Sequence, residues 1–327
     1  MTSSSLNSTF HSEKTEELPV VNEELRQNLE TPFVLKGDEK TQRKLVKLIN
    51  KIALSKTGKE VLETAAKAGY TLDMEFMMGA NGGCSKESKK IVLNPISNDE
   101  ELVGVLVHEA RHAGQFERGE YDASDENRPR TETLKTQIMR TRAVEADAQA
   151  TAAQAMCELM EAGDDMPLRA FCRAEHNKTI AKAIDRALYD PQAISNGQLR
   201  TAAFMAWYEN TEVMELYDQY YQIDMMERRL DKGLDVNDTY ATSQSPAKIV
   251  RDLCLNSDGS CYFSEDPAVL GTKHYAAVTR KKEVALQELM EIAPSKKKHV
   301  ENEVPFKQPE SSATMQKILL NKRLAGR

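Results

Sequence analysis

Apolar residues along the chain first take on a period at Lys40. Residues 1 to 38 are rich in Ser, Thr, Asn and Glu without a repeat, which predicts a disordered tail. Between Lys40 and Ala68, the positions Leu45, Ile49, Ile52, Leu54 and Val61 fall near helical spacing and predict one or two helices ending near Gly69. Thr71 to Met77 and Lys89 to Leu93 read as strands around a turn-rich loop, Gly79 to Ser85, with Asn81-Gly82 as its turn signal. Pro95 closes the second strand. Ser97 and Glu100 have capping-box spacing, and Asp99, Glu100 and Glu101 suit the positive end of a helix dipole. The helix they start is expected to run through Leu102, Leu106, Glu109 and Ala113 towards Phe116. A polar loop follows at 119–129, then a second long helix at about 131–162.

Helical spacing returns at 167–190, 197–231 and 273–293, with a loop-rich stretch, 232–272, among them. After Pro294 a basic stretch leads to a short terminal helix near 312–324. The expected fold class is α+β: a small sheet or hairpin packed on two long helices, with a mostly helical C-terminal half. The expected organisation is a disordered tail at 1–38, a core at 39–165, a helical region at 166–293 that belongs to the core or adjoins it, and a tail with a short helix at 294–327.

Charge and cysteine content narrow the function classes. Lys and Arg number 44 against 51 Asp and Glu, so the net charge of -7 gives no footprint for nucleic acid or an anionic membrane. The five cysteines, Cys84, Cys157, Cys172, Cys254 and Cys261, are sparse and never spaced CxxC, which argues against a disulfide framework and a cysteine-type zinc site. The N-terminus has no basic start followed by an apolar core, and no apolar run reaches the ~20 residues of a membrane span. A cytoplasmic location is therefore expected, although a non-classical export route would leave no mark.

Candidate chemistry lies in the first long helix. His108 and His112 are four residues apart, so both imidazoles project from one helix face, where they can take two corners of a zinc tetrahedron. Glu109 lies beside them, placed to reach a water rather than the same vertex. This is the HExxH arrangement of two zinc ligands and a general base. The apolar run Leu102-Val-Gly-Val-Leu-Val107 just before it would be out of place on an ordinary surface helix carrying two histidines. Arg111 is expected to point to solvent or to pair with an acid.

A catalytic zinc needs a third protein ligand and an open position. Glu145 shares a helix face with Leu134, Ile138, Gln149, Ala152 and Met156, whereas Asp147 shares one with Arg140, Ala143, Ala150, Gln154 and Glu158. Glu145 is thus on the apolar stripe, where a carboxylate must be paired or bound to a cation. It is the expected third ligand, with His176 a further candidate and an ion pair with Arg142 or Lys135 the plain alternative. Gln149 and Arg142 are candidates for hydrogen bonds behind the ligands.

These residues resemble the gluzincin type of metallopeptidase, in which HExxH and a downstream Glu hold zinc. Gln149 stands where that pattern usually has Asp or Asn. Residues of about 70 to 160 also resemble an uncharacterised bacterial family of metallopeptidase domains. The resemblance implies a zincin-like core at 39–165 and one zinc ion per chain, held by His108, His112 and Glu145. It also implies a peptide or protein substrate whose carbonyl is attacked by a water from which Glu109 takes the proton. An oxyanion donor would come from Tyr121, Arg142, His176 or Tyr208. An extended substrate would lie along the strand before the motif, at Ile91, Val92 and Leu93. The rival readings are a non-catalytic zincin acting as a sensor or interaction module, and a secreted effector with a chance motif. The aromatic and Met positions Phe204, Trp207, Tyr208, Tyr217, Tyr220, Tyr221, Met225 and Met226 read as core, and Cys84 as a turn cysteine without a role.

Overall fold

A computed structural model describes residues 27–120, 132–234 and 242–300. The fold is α+β: four short strands lie beside twelve α-helices among the described residues. Strand β1 is Val34–Leu35, β2 is Thr71–Met74, β3 is Gly82–Ser85 and β4 is Lys90–Leu93. Helices α1 (Glu39–Ile52) and α2 (Lys56–Lys67) sit between β1 and β2, and α3 (Asp99–Glu117) and α4 (Leu134–Glu161) follow the sheet. The remaining helices are α5 (Met166–Arg173), α6 (Lys178–Ala187), α7 (Gln198–Trp207), α8 (Thr211–Asp218), α9 (Met225–Asp231), α10 (Pro246–Leu253), α11 (Lys273–Ala276) and α12 (Arg280–Val300). A π-helical turn, Gln219–Asp224, joins α8 to α9. No helix among the described residues is long and apolar enough to cross a membrane.

Several expectations change in the structure. Residues 27 to 38, read as part of a tail, bury Leu29, Phe33 and Leu35 and supply β1. Residues 1 to 26, and the short helix expected at 312–324, lie outside the described residues. The two expected strands do not form a hairpin. They are parallel neighbours, β2 and β4, while the loop between them supplies a third strand, β3, antiparallel to β4. The sheet order is β1-β2-β4-β3, so Ile91, Val92 and Leu93 are paired on both sides and β4 is no edge. Helix α3 is capped by Asn98, whose side chain accepts from Glu101 N at 2.9 Å, and Ser97 instead donates to Asn81. Helix α12 continues through Pro294 to Val300; a proline removes one N–H···O bond without having to end the helix.

The core gathers around α3 and α4. On α3, Leu102, Val103, Leu106, Val107, Ala110 and Ala113 have no exposed surface. Helix α4 is buried on nearly every side, packed by α2, α3, α5, α7 and α10. Its alanines at 143, 146, 148, 150, 152, 153 and 155 let those neighbours approach closely. This explains why a stripe analysis of α4 misleads: a helix with no solvent face carries its polar residues inward, where each must find a partner.

Candidate metal centre

The second half of α3 presents His108 and His112 one turn apart, with their rings edge to face at 4.6 Å. Their Nε2 atoms are 3.0 Å apart. From α4, Glu145 brings Oε2 to 3.5 Å from His108 Nε2 and 3.6 Å from His112 Nε2. Ligand atoms of the three residues all lie within 4.8 Å of one another. A tetrahedral zinc with bonds of about 2.0–2.1 Å sets its ligand atoms about 3.3 Å apart. The three separations scatter around that value, and two imidazole nitrogens with one carboxylate oxygen are a donor set zinc takes. The residues present therefore fit the ion.

Charge balance in the cluster follows from its burial. Burial pushes the Glu145 carboxyl up, but the His112 and His108 imidazoles outweigh it and hold the group well below the usual carboxylate range. Burial likewise pushes His112 down, and the Glu145 carboxylate reverses the effect, raising it to about 9. Glu109 is buried beside them, and desolvation raises its carboxyl despite the two histidines. The backbone of β3 passes close to this side chain: a Cβ at Gly82 would stand 3.2 Å from Glu109 Cγ and 2.5 Å from Val105 Cγ1. Only glycine admits so close an approach.

In front of the cluster lies a cleft of about 310 Å³. Met77, Phe116, Val144 and the tyrosines 217, 220 and 221 give it an apolar and aromatic wall, and Gly82, Gly83 and Cys84 of β3 form one rim. Arg140 reaches the cleft, but its guanidinium is engaged by Glu120 at 2.8 Å and by Glu132 at 3.1 Å. Tyr221 Oη donates to Glu145 Oε1 at 3.3 Å, and burial, with the Glu145 carboxylate nearby, pushes the Tyr217 phenol well above its usual range. These three tyrosines were read from the sequence as core. Their spacing, i, i+3 and i+4, puts them on one helical face but does not say whether that face meets a core or a cleft.

Other sequence expectations separate here. Gln149 donates to Asn177 at 2.5 Å and not to a ligand. Arg142 forms a bidentate pair with Asp218 at 3.0 and 2.5 Å and donates to the Tyr275 and Ala277 carbonyls, so it anchors α8 and does not touch the histidines. Arg111 does not reach solvent: it is buried and paired with Asp147 at 2.7 and 3.0 Å. Asp147, expected on a polar face, has no exposed surface; burial raises its carboxyl, but Arg111 and Arg200 overcome this and bring it down to about 2. Gln115, which the sequence reading passed over, lies behind His112, with Oε1 2.8 Å from Nδ1. Tyr208 is enclosed by Phe204, Trp207 and Tyr275, away from the cleft. His176 lies in the 3-10 turn Glu175–Asn177, outside the three-residue cluster. Tyr121 lies outside the described residues.

Fold and donor set together describe an α+β chain with a His-His-Glu group able to hold a metal ion. The chain belongs to the Putative metallopeptidase family (DUF6782), whose model matches residues 22–263. No curated protein and no solved structure matches the chain.

Proposed function

We propose that the chain is a zinc-dependent peptidase of gluzincin type, with His108, His112 and Glu145 as the ligands and Glu109 as general base. The observation that carries the reading is the gathering of the three donor atoms at zinc spacing, with a buried carboxylate of raised pKa beside them in an aromatic cleft. Zinc held there supplies a Lewis acid that acidifies water and polarises a carbonyl. Glu109 takes the proton at its carboxylate and passes it to the departing amine. Tyr217 and Tyr221 line the cleft beside the ligands; the Tyr221 hydroxyl, which donates to Glu145 Oε1, would turn from that carboxylate to meet negative charge developing on the carbonyl oxygen.

The substrate is a peptide in extended form. Strand β3 is the sheet edge next to the cleft and replaces β4 as the candidate pairing strand. The cleft's lining by Met77, Phe116, Val144 and tyrosines suits a large apolar side chain near the scissile bond. Glu109→Gln tests the reading, with unfolded casein as the probe. Hydrolysis should fall by at least about 10²-fold while the bound zinc is retained. Unchanged hydrolysis in a zinc-loaded Glu109→Gln protein would defeat the assignment.

A further inference from the structure

Gln115 is fully buried, three residues after His112 on α3. Its Nε2 carries two hydrogens, and both are spent: one goes to the Val144 carbonyl at 3.0 Å and one to Asp147 Oδ2 at 2.8 Å. The atom left to face His112 is Oε1, 2.8 Å from Nδ1. An amide oxygen can only accept, so the imidazole must carry its hydrogen on Nδ1. The opposite amide orientation would set Oε1 against the Asp147 carboxylate, two acceptors at hydrogen-bond distance between fully buried side chains, and is ruled out by that repulsion.

Asp147 is in turn fixed from three directions. Arg111 Nε and Nη2 donate to it at 2.7 and 3.0 Å, Tyr262 Oη at 2.7 Å, and Arg200 Nη2 at 3.4 Å. Arg111 also donates to the Leu253 and Leu255 carbonyls, tying the network to the end of α10 and the residues just after it. His108 offers a contrast: its Nδ1 is buried and has no hydrogen-bond partner among the described residues.

From this arrangement we infer that Gln115 is the positioning residue for the metal centre: by accepting from Nδ1–H it fixes the His112 ring so that Nε2 faces the cluster whatever the charge on the ring, and the Asp147 network holds Gln115. The inference rests on the metal-site reading above for its purpose, though the hydrogen bond itself does not. It makes the two histidines unequal. His112 is presented to the ion before the ion arrives, whereas His108 is set only by its neighbours in the cleft. The motif thereby extends from His108 to Gln115, and Arg111, the residue least expected within it, is the clamp on Asp147.

Two measurements test this. In protein labelled with ¹⁵N at histidine, with assignments made from a His108→Asn variant, His112 should show a slowly exchanging Nδ1–H in both metal-free and zinc-loaded protein. His108 should not show one in the metal-free protein. Gln115→Met keeps the length and the packing but removes the acceptor, and with it the two donors to Val144 and Asp147. Competition against a chelator should then give zinc binding weakened by roughly 10- to 100-fold, the range typical of lost partners behind a ligand. The His112 Nδ1–H signal should be lost to exchange with water. A His112 Nδ1–H that exchanges freely in the wild type overturns the inference, and so does a folded Gln115→Met protein that binds zinc within twofold of wild type. Should Gln115→Met not fold, the wild-type spectrum decides alone. Absence of zinc binding in the wild type would defeat the metal-site reading, and the metal-free spectrum would still judge the hydrogen bond.

Discussion

Behind His112 the protein buries two arginines, an aspartate, a glutamine and a tyrosine in one connected network; across the cleft, a tyrosine-bearing turn reaches the same metal cluster from a single buried Arg–Asp pair. The first region is charge fixed by charge. Asp147 accepts from Arg111, Arg200, Gln115 and Tyr262, and the Arg200 guanidinium lies 3.8 Å over the Tyr262 ring. The second region hangs on the Arg142–Asp218 pair at the end of α8, beyond which the helix widens into the π turn carrying Tyr220 and Tyr221. π-helical turns tend to occur where function overrides regular helix packing. The difference separates two tasks. The network wall holds a ligand in place, and its loss should be felt as stability. The tyrosine wall presents hydroxyls to the site, and its loss should be felt as rate.

The sharpest way to break that comparison is Asp147→Ala, which leaves Arg111 and Arg200 buried without their carboxylate. Removing one partner of a buried ion pair costs about 3–5 kcal/mol, and urea unfolding should register a loss of that size. A loss below about 1 kcal/mol would mean the network is not structural. The matching change on the other wall is the double variant Tyr217→Phe, Tyr221→Phe. It should lower kcat by about 10²–10³-fold, the usual cost of an oxyanion donor, with the unfolding midpoint little changed. An equal loss of stability would make the tyrosines structural and erase the contrast. A smaller effect is expected at the rim, where Gly82→Ala would drive a methyl into Val105 and Glu109. Overpacking of this kind costs about 1–3 kcal/mol; calorimetry should show the destabilisation, and hydrolysis should fall with it as β3 shifts away from Glu109.

How much of this was legible in the sequence follows the same division. His108, Glu109 and His112 could be read from spacing alone, because a four-residue interval on a helix fixes which side chains share a face. Glu145 was named from an apolar stripe that α4, buried on nearly every side, does not have, and the structure sets it beside the two histidines all the same. The partners behind them could not be read. Asp147 and Arg111 are 36 residues apart in sequence, and their pairing depends on how α3 crosses α4. Periodicity placed Asp147 on a polar face because it assumes a solvent side that α4 lacks. Gln149 was the natural choice one turn beyond Glu145, yet it faces Asn177; Gln115, on the other helix, holds the histidine. The α+β class was legible from the alternation of short extended segments with long helical ones. The strand order was not, since the turn-rich segment that reads as a loop inserts β3 at the sheet edge and moves β4 inside. The tyrosines were missed because an aromatic stripe at helical spacing looks the same whether it meets a core or lines a cleft.

The central claim is that His108, His112 and Glu145 form one metal site, and metal content tests it most directly. Wild-type protein and Glu145→Ala, purified side by side without chelator, would be assayed by elemental analysis. The account predicts about one zinc per wild-type chain, as three protein ligands with one open position require, and a marked loss in Glu145→Ala. Zinc absent from the wild type, or retained in full by Glu145→Ala, would contradict it.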